Sequence, residues 1–166
     1  MGADDARDHG RVTLAEFAAW VQPELLKMSR LAARLGPDAD RDDVVQEALI
    51  RAWQKRGQYD ESRGTAATWL LAITADQARR ARRRQRPFAL VGEINVPGGS
   101  PDDRVDVEAA VARLPRRQKL AVDCFYFIGL SVAETAAVMG CSGGTVKSTL
   151  SDARKRLRLL LEVNDG

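Results

Sequence analysis

Histidine occurs once in this 166-residue chain, cysteine twice, and aromatic residues make up only 5% of it. The single His9 lies in the polar stretch MGADDARDHGR, neither cysteine has a base partner nearby, and no phosphate-binding glycine loop occurs. An enzymatic role is therefore not expected. Cys124 and Cys141 form no CxxC pair and no metal-ligand spacing, so neither a metal nor another cofactor is expected. They read as reduced small hydrophobes of a cytoplasmic protein. No apolar run approaches the roughly 20 residues that span a bilayer. Residues 1–11 are too polar and acidic for a signal peptide, and Ala6 breaks the myristoylation pattern.

What is present is helical material. The chain is 45% hydrophobic and 30% charged, enough apolar content to bury a core. Ala, Leu and Arg abound while β-branched and aromatic segments are scarce, which indicates an all-α fold. The net charge of +3 is mild, but its distribution is not. Six arginines (Arg79, Arg80, Arg82, Arg83, Arg84 and Arg86) fall within eight residues, and a second basic set runs from Lys147 to Arg158. Against them stands an acidic patch of Asp38, Asp40, Asp42, Asp43 and Glu47. Such separation suits a protein that meets a polyanion on one face and a different partner on another; solvated helix faces produce similar runs.

Leu14, Phe17, Val21, Leu25, Met28, Ala32 and Leu35 recur at spacings of three and four, one face of an amphipathic helix. Pro23 should kink or split it, and Gly36-Pro37 should stop it. A second helix, capped by Asp40 or Asp42, has the stripe Val45, Leu49, Ala52 and Trp53 and ends near Gly57. A third begins between Ser62 and Thr68 and runs through Trp69, Leu70 and Ile73 into the arginines. These three helices make a bundle over residues 12–86, after a loose tail over 1–11. Residues 87–103 lose the helical period and hold three prolines and three glycines, which marks a linker, with Phe88, Leu90, Val91 and Ile94 able to dock. A second domain spans 104–162, followed by a short tail; Pro115 opens one of its helices and Gly129 closes it.

Residues 131–161 read as a helix-turn-helix. Ser131 and Glu134 fit a capping box, Gly140 supplies the left-handed turn residue, and Ser142 or Thr145 caps the second helix. At about 100° per residue, Val146, Leu150, Ala153 and Leu157 share the core side. Gly144, Ser148, Ser151, Asp152 and Lys155 lie opposite, with Lys147 and Arg158 toward one flank. A polar outer face with a basic continuation fits a major-groove reader whose Arg154, Lys155, Arg156 and Arg158 sit near phosphates. An ordinary helical hairpin with a solvated face is the plainer alternative. In the first domain, Trp69, the loop Ser62-Arg63-Gly64-Thr65 and the arginines combine a stacking surface with phosphate contacts, as single-stranded DNA requires. Trp69 fits a core position equally well.

Three stretches in this order resemble extracytoplasmic-function sigma factors of the sigma-70 family: DDVVQEALIRAWQK (42–55), TWLLAITADQARRARRR (68–84), and residues 114–157, where GTVKS (144–148) is characteristic. The resemblance implies a sigma region 2 bundle and a helix-turn-helix region 4 joined by a linker. It implies that Asp43, Gln46, Glu47 and Arg51 face the clamp coiled coil of the largest subunit of core RNA polymerase, whose flap is a further partner. It implies −10 promoter DNA contacts from Arg63, Thr65, Thr68, Trp69, Asp76, Arg79, Arg80, Arg83 and Arg84. For the −35 element it implies Lys147, Ser148, Ser151 and Asp152, to which the helical wheel adds Lys155, with Thr145 at the helix start. An anti-sigma factor is the expected regulator.

Three positions depart from the family pattern. Asp76 stands where Asn is common, and its carboxylate accepts but does not donate. Thr149 replaces the Arg that usually follows GTVKS, and Asp152 occupies a place often basic, although an acid can accept from the cytosine amino group. These departures suit a sigma-like decoy that binds an anti-sigma factor, whereas the intact arginine cluster argues against one. An ordinary helix-turn-helix regulator would leave the 42–55 stretch unexplained.

Overall fold

Thr13 opens the first helix by a reciprocal cap. Its hydroxyl accepts from the Glu16 N–H at 3.2 Å, and the Glu16 carboxylate accepts from the Thr13 N–H at 2.7 Å. The computed structural model describes residues 12–36, 40–85 and 103–164. α1 spans Leu14–Val21, a 3₁₀ turn occupies Gln22–Glu24, and α2 spans Leu25–Leu35. Pro23 thus splits the helix, because it offers no N–H and its ring crowds the preceding turn.

α3 runs Arg41–Gln54 and ends before the expected Gly57; Arg56–Gln58 instead forms a 3₁₀ turn. Neither expected aspartate caps it in the usual way. Asp40 holds the N-cap position but makes no side-chain cap, its carboxylate accepting from Gln85 Nε2 at 3.0 Å. Asp42 lies inside the first turn, where its charge suits the helix dipole. α4 spans Ala66–Gln85. Asp38, Arg86 and the linker apolar residues Phe88, Leu90, Val91 and Ile94 lie outside the described residues, as does His9 with its tail.

α5 spans Asp103–Ala112, and α6 spans Arg116–Val122 after Pro115. α6 continues as a π-helical segment, Asp123–Ile128, closed by Gly129 at φ 81°. α7 spans Val132–Met139, and α8 spans Gly143–Asn164, two residues beyond the expected end at 162. No strand occurs among the described residues.

Two cores form. Met28, Leu31, Leu70, Leu71, Val44, Ala48 and Ala75 close the α1–α4 bundle. Val111, Leu114, Ala121, Val122, Val146, Leu150 and Ala153 close the second unit. The small residues Ala48, Ala52, Ala75 and Ala78 are all 0% exposed, and they let α3 and α4 approach closely without a void.

The π segment has a positional effect. One extra residue in the turn shifts the helical face. Phe125 packs on the second unit's core, whereas Cys124 and Ile128 pack into the cluster of the first.

Candidate nucleic-acid interface

The loop before α4 is pre-shaped by its own polar groups. The Asp60 carboxylate accepts from the Ser62 N–H at 2.9 Å and hydroxyl at 2.7 Å, and the Tyr59 hydroxyl donates to Gly64 O at 3.3 Å. The two bonds from Ser62 hold the Asp60 carboxyl below the usual carboxylate range, the hydroxyl contributing most. Thr65 Oγ1 accepts from the Thr68 N–H at 3.2 Å, and Thr65 O accepts from the Trp69 N–H at 3.2 Å, which starts α4. Arg63 and Thr65 are exposed, and Thr68 is half-buried.

Trp69 is neither a core residue nor a free platform. Its ring centroid lies 6.0 Å from Trp20 and 5.4 Å from Tyr59, and Trp20 and Tyr59 are 5.1 Å apart. Phe17 extends the cluster, tilted against Trp20 at 5.9 Å and edge-on to Trp53 at 5.2 Å. Trp69 stays half-buried, so the cluster fixes its orientation while part of the residue remains accessible. Trp20 and Tyr59 were not singled out in the sequence reading. Their meeting depends on the fold rather than on local spacing.

Farther along α4, Asp76 and Arg80 form an exposed i, i+4 pair at 3.1 Å. The Asp76 carboxylate is thereby partly neutralised beside the arginines. Arg83 and Arg84 are exposed near the helix C-terminus, where cations also suit the dipole. Arg79 behaves differently: its Nη1 donates to the Val138 carbonyl of α7 at 3.3 Å.

Asp43, Gln46 and Glu47 line an open groove between α3 and α4, together with Ile50, Gln77 and Arg84. Ile50 is 50% exposed at the groove mouth, an apolar anchor amid acidic residues. Arg51 is half-buried and does not line this groove.

The helix-turn-helix follows the capping logic closely. Ser131 Oγ accepts from the Glu134 N–H at 3.0 Å, and Glu134 Oε1 accepts from the Ser131 N–H at 3.1 Å. Gly140 ends α7 at φ 65° and ψ 39°. Ser142, rather than Thr145, caps α8: its Oγ accepts from the Thr145 N–H at 3.2 Å. Val146, Leu150 and Ala153 are buried and Leu157 is partly so, while Thr145, Lys147, Ser148, Asp152 and Lys155 share the exposed side and Ser151 is half-buried. Asp152 makes no ion pair among the described residues, unlike Asp76. Arg154, expected near phosphate, donates from Nη1 to the Tyr126 hydroxyl at 3.0 Å.

The two units also meet. Arg34 Nε donates to Asp123 Oδ1 at 2.9 Å, and Lys27 Nζ donates to Glu134 Oε2 at 2.9 Å. Asp123 is 1% exposed, a buried carboxylate that the sequence reading passed over. A lone acid within the apolar run LAVDCFYFI was the available signal. Burial alone would raise the Glu134 carboxyl, but the bonds from Lys27 and Ser131 outweigh it and hold the group below its usual range. Burial pushes the Cys124 thiol up to about 12. Among the described residues no His/Cys/Asp/Glu group is arranged to hold a metal, and no helix is long and apolar enough to cross a membrane.

Residues 17–88 match the family described as Sigma-70 region 2, and residues 104–157 match that described as Sigma-70, region 4. The chain is 34% identical over 144 residues to the ECF RNA polymerase sigma factor SigL of Mycobacterium tuberculosis (strain H37Rv), covering 80% of this chain and 81% of that protein. It is 34% identical over 151 residues to SigM of the same strain, covering 86% and 74% respectively. Among solved structures it is similar to CnrH in complex with the cytosolic domain of CnrY, with a TM-score of 0.66, 25% identity and 91% and 90% coverage. It is also similar to the sigma factor RpoE in complex with the anti-sigma factor NepR from Bartonella quintana, at 0.65, 27%, 90% and 99%.

Proposed function

The chain belongs to the extracytoplasmic-function sigma factors of the sigma-70 family, and from that premise we propose that it docks on core RNA polymerase and directs promoter-specific initiation by reading −10 and −35 DNA. The observation that carries this is the tandem of a region 2 match with an intact, doubly capped helix-turn-helix in one chain. The factor performs no nucleotide chemistry itself; polymerase supplies that.

In this reading the acidic groove of α3 and α4 takes the polymerase clamp. Asp43, Gln46 and Glu47 bring charge, and Ile50 brings an apolar contact. Arg51 acts from the rim, and the flap receives the second unit. The shaped loop from Arg63 to Thr68, with the accessible part of Trp69, captures an unstacked −10 base, because loop donors are held in place before the strand arrives. Arg80, Arg83 and Arg84 then hold phosphates. Asp76, paired to Arg80, tunes which base is accepted. In α8, Thr145, Lys147, Ser148, Ser151, Asp152 and Lys155 face the −35 duplex. There the unpaired Asp152 carboxylate suits a cytosine amino group and Lys147 suits phosphate. Control by an anti-sigma factor follows from the likeness to RpoE, whose structure includes NepR.

The test is run-off transcription with sigma-free core polymerase on a pool of promoter fragments. New, sequence-defined transcripts that depend on this protein are expected. Failure both to bind core and to start transcripts would leave the decoy reading standing.

A further inference from the structure

All three tryptophans of the chain gather in the first unit, and a tyrosine joins them. Trp20, Tyr59 and Trp69 come from three separate elements: the end of α1, the turn after α3 and the first turn of α4. Their ring centroids form a closed triangle with sides of 5.1, 5.4 and 6.0 Å, each pair tilted, which is a favourable aromatic geometry. Trp20 and Trp69 pack against the first core without being buried in it, and Tyr59 is half-buried as well.

Tyr59 is the member that also reaches the loop. It sits at φ −67° and ψ 130°, where the 3₁₀ turn of Arg56–Gln58 gives way to extended chain. Its hydroxyl donates to Gly64 O at 3.3 Å. Gly64 is hemmed in from the other side. A Cβ built on it would stand 2.7 Å from Thr68 Oγ1, and that hydroxyl is committed to Thr65 O at 2.8 Å. Between these points the Asp60 carboxylate holds Ser62, and Asp60 O accepts from the Arg63 N–H at 3.0 Å. Those bonds shape the turn from within. Tyr59 ties it to the Trp69 ring, through one side chain that touches both.

We propose that Tyr59 is a positioning residue for −10 capture: it contacts no nucleotide, but holds the loop from Arg63 to Thr68 and the Trp69 ring in a fixed relation, with Trp20 as backing. This deepens the sigma reading and rests on it. A base that has left its stack needs a ring surface and polar loop groups at a set separation. Fixing that separation beforehand spares the strand the entropy of ordering the loop. Tyr59 is poorly placed to stack on a base itself, since its ring packs against two indoles and its hydroxyl is spent on a carbonyl. At 3.3 Å the hydroxyl bond is longer than the usual O–H···O length, so the hydroxyl's share is modest and the ring's is larger.

The experiment compares the full-length wild type with Tyr59→Phe, Tyr59→Leu and Gly64→Ala, with circular dichroism in urea confirming the fold of each. One arm reads the loop itself by limited trypsin digestion and mass spectrometry. Cleavage after the exposed Arg63 is compared with cleavage after Arg84, at the far end of α4. Cleavage after Arg63 should quicken about 2- to 5-fold in Tyr59→Phe, the effect of one weak hydrogen bond, and further in Tyr59→Leu, while the Arg84 site stays constant. The other arm adds core polymerase and a promoter fragment recovered from the run-off pool. Permanganate reactivity of unpaired thymines then gives the rate of strand opening separately from the promoter concentration at half-saturation. Opening should slow about 2- to 5-fold in Tyr59→Phe and about 10-fold in Tyr59→Leu, with half-saturation unchanged. A merely structural defect would instead lower the fraction of active complexes and leave the rate of each intact. Gly64→Ala should loosen the loop and slow opening with Tyr59 in place, which keeps the test whole should Tyr59→Leu fail to fold. Unchanged cleavage after Arg63 in both folded Tyr59 variants, or a loosened loop with an unchanged opening rate, would overturn the proposal. A wild type that neither binds core nor opens any fragment would remove the sigma reading and the −10 role together, while the cleavage arm would still show whether Tyr59 holds the loop.

Discussion

Gly140 offers a measurement in which one backbone angle is isolated from everything around it. It sits between α7 and α8 at φ 65° and ψ 39°, and a Cβ built on it meets nothing within 4 Å. Alanine at this position therefore creates no clash, and its whole effect comes from holding an L-residue in the left-handed region, about 1–2 kcal/mol. Asparagine, which tolerates that region better, should lose roughly half as much. Gly57 provides the control: its added Cβ also meets open space, but no left-handed angle is required there. Gly57→Ala should be neutral or stabilise by up to about 1 kcal/mol, through the lower entropy of the unfolded chain. Urea unfolding followed by circular dichroism reads the series. With a slope near 2 kcal/mol per molar, Gly140→Ala should lower the midpoint by about 0.5–1 M. The same substitution should weaken −35 duplex binding, because this turn sets how α8 projects from α7. If Gly140→Ala unfolds at the same urea concentration as Gly57→Ala, the claim that this turn depends on a left-handed residue is wrong.

Other outcomes follow from the same structure. Leu70→Ala, at a fully buried site of the first core, should cost about 2–5 kcal/mol, whereas Leu26→Ala, 61% exposed, should stay within about 0.5 kcal/mol in the same unfolding assay. A thiol titration of the native protein near pH 8 should detect the half-buried Cys141 promptly, and Cys124 only after denaturation, since its thiol is buried with a pKa of about 12. The Glu134 carboxyl has its pKa lowered in the folded protein, so its contribution to stability is present above the ordinary carboxylate range and is lost as pH falls below about 4.5; acid unfolding should show a reduced pH slope in Glu134→Gln. Lys147→Ala should weaken −35 duplex binding across sequences and flatten its salt dependence by about one counterion, measured by titration at several salt concentrations. Asp76→Asn removes an exposed ion pair with Arg80, so stability should change by less than about 1 kcal/mol while the set of −10 sequences supporting transcription shifts.

Much of the second unit was legible because its signals are local. The Ser131–Glu134 box, the left-handed Gly129 and Gly140, and the buried stripe of Val146, Leu150 and Ala153 each depend on groups no more than four or so positions apart. The end of α3 was read too late because nothing in Lys55-Arg56-Gly57 distinguishes a 3₁₀ turn from one more turn of α-helix. Asp40 looked like a cap by residue type alone; Gln85, 45 positions on, claims its carboxylate instead.

By itself the sequence determined which segments are helical, which face of each is apolar, and where they stop wherever a proline or a left-handed glycine marks the end, since periodicity, caps and breakers act over single turns. It also determined the family, through stretches whose order and spacing survive in the linear chain. The tertiary structure alone decided that Trp69 leans on Trp20 and Tyr59, and that Arg79 serves a carbonyl. It alone decided that Arg34 crosses 89 positions to a buried Asp123, and Lys27 crosses 107 to Glu134. Charge and apolar pattern mark a residue as able to pair, but many partners of the right chemistry exist along a chain that is 30% charged. Which two meet depends on how whole helices pack.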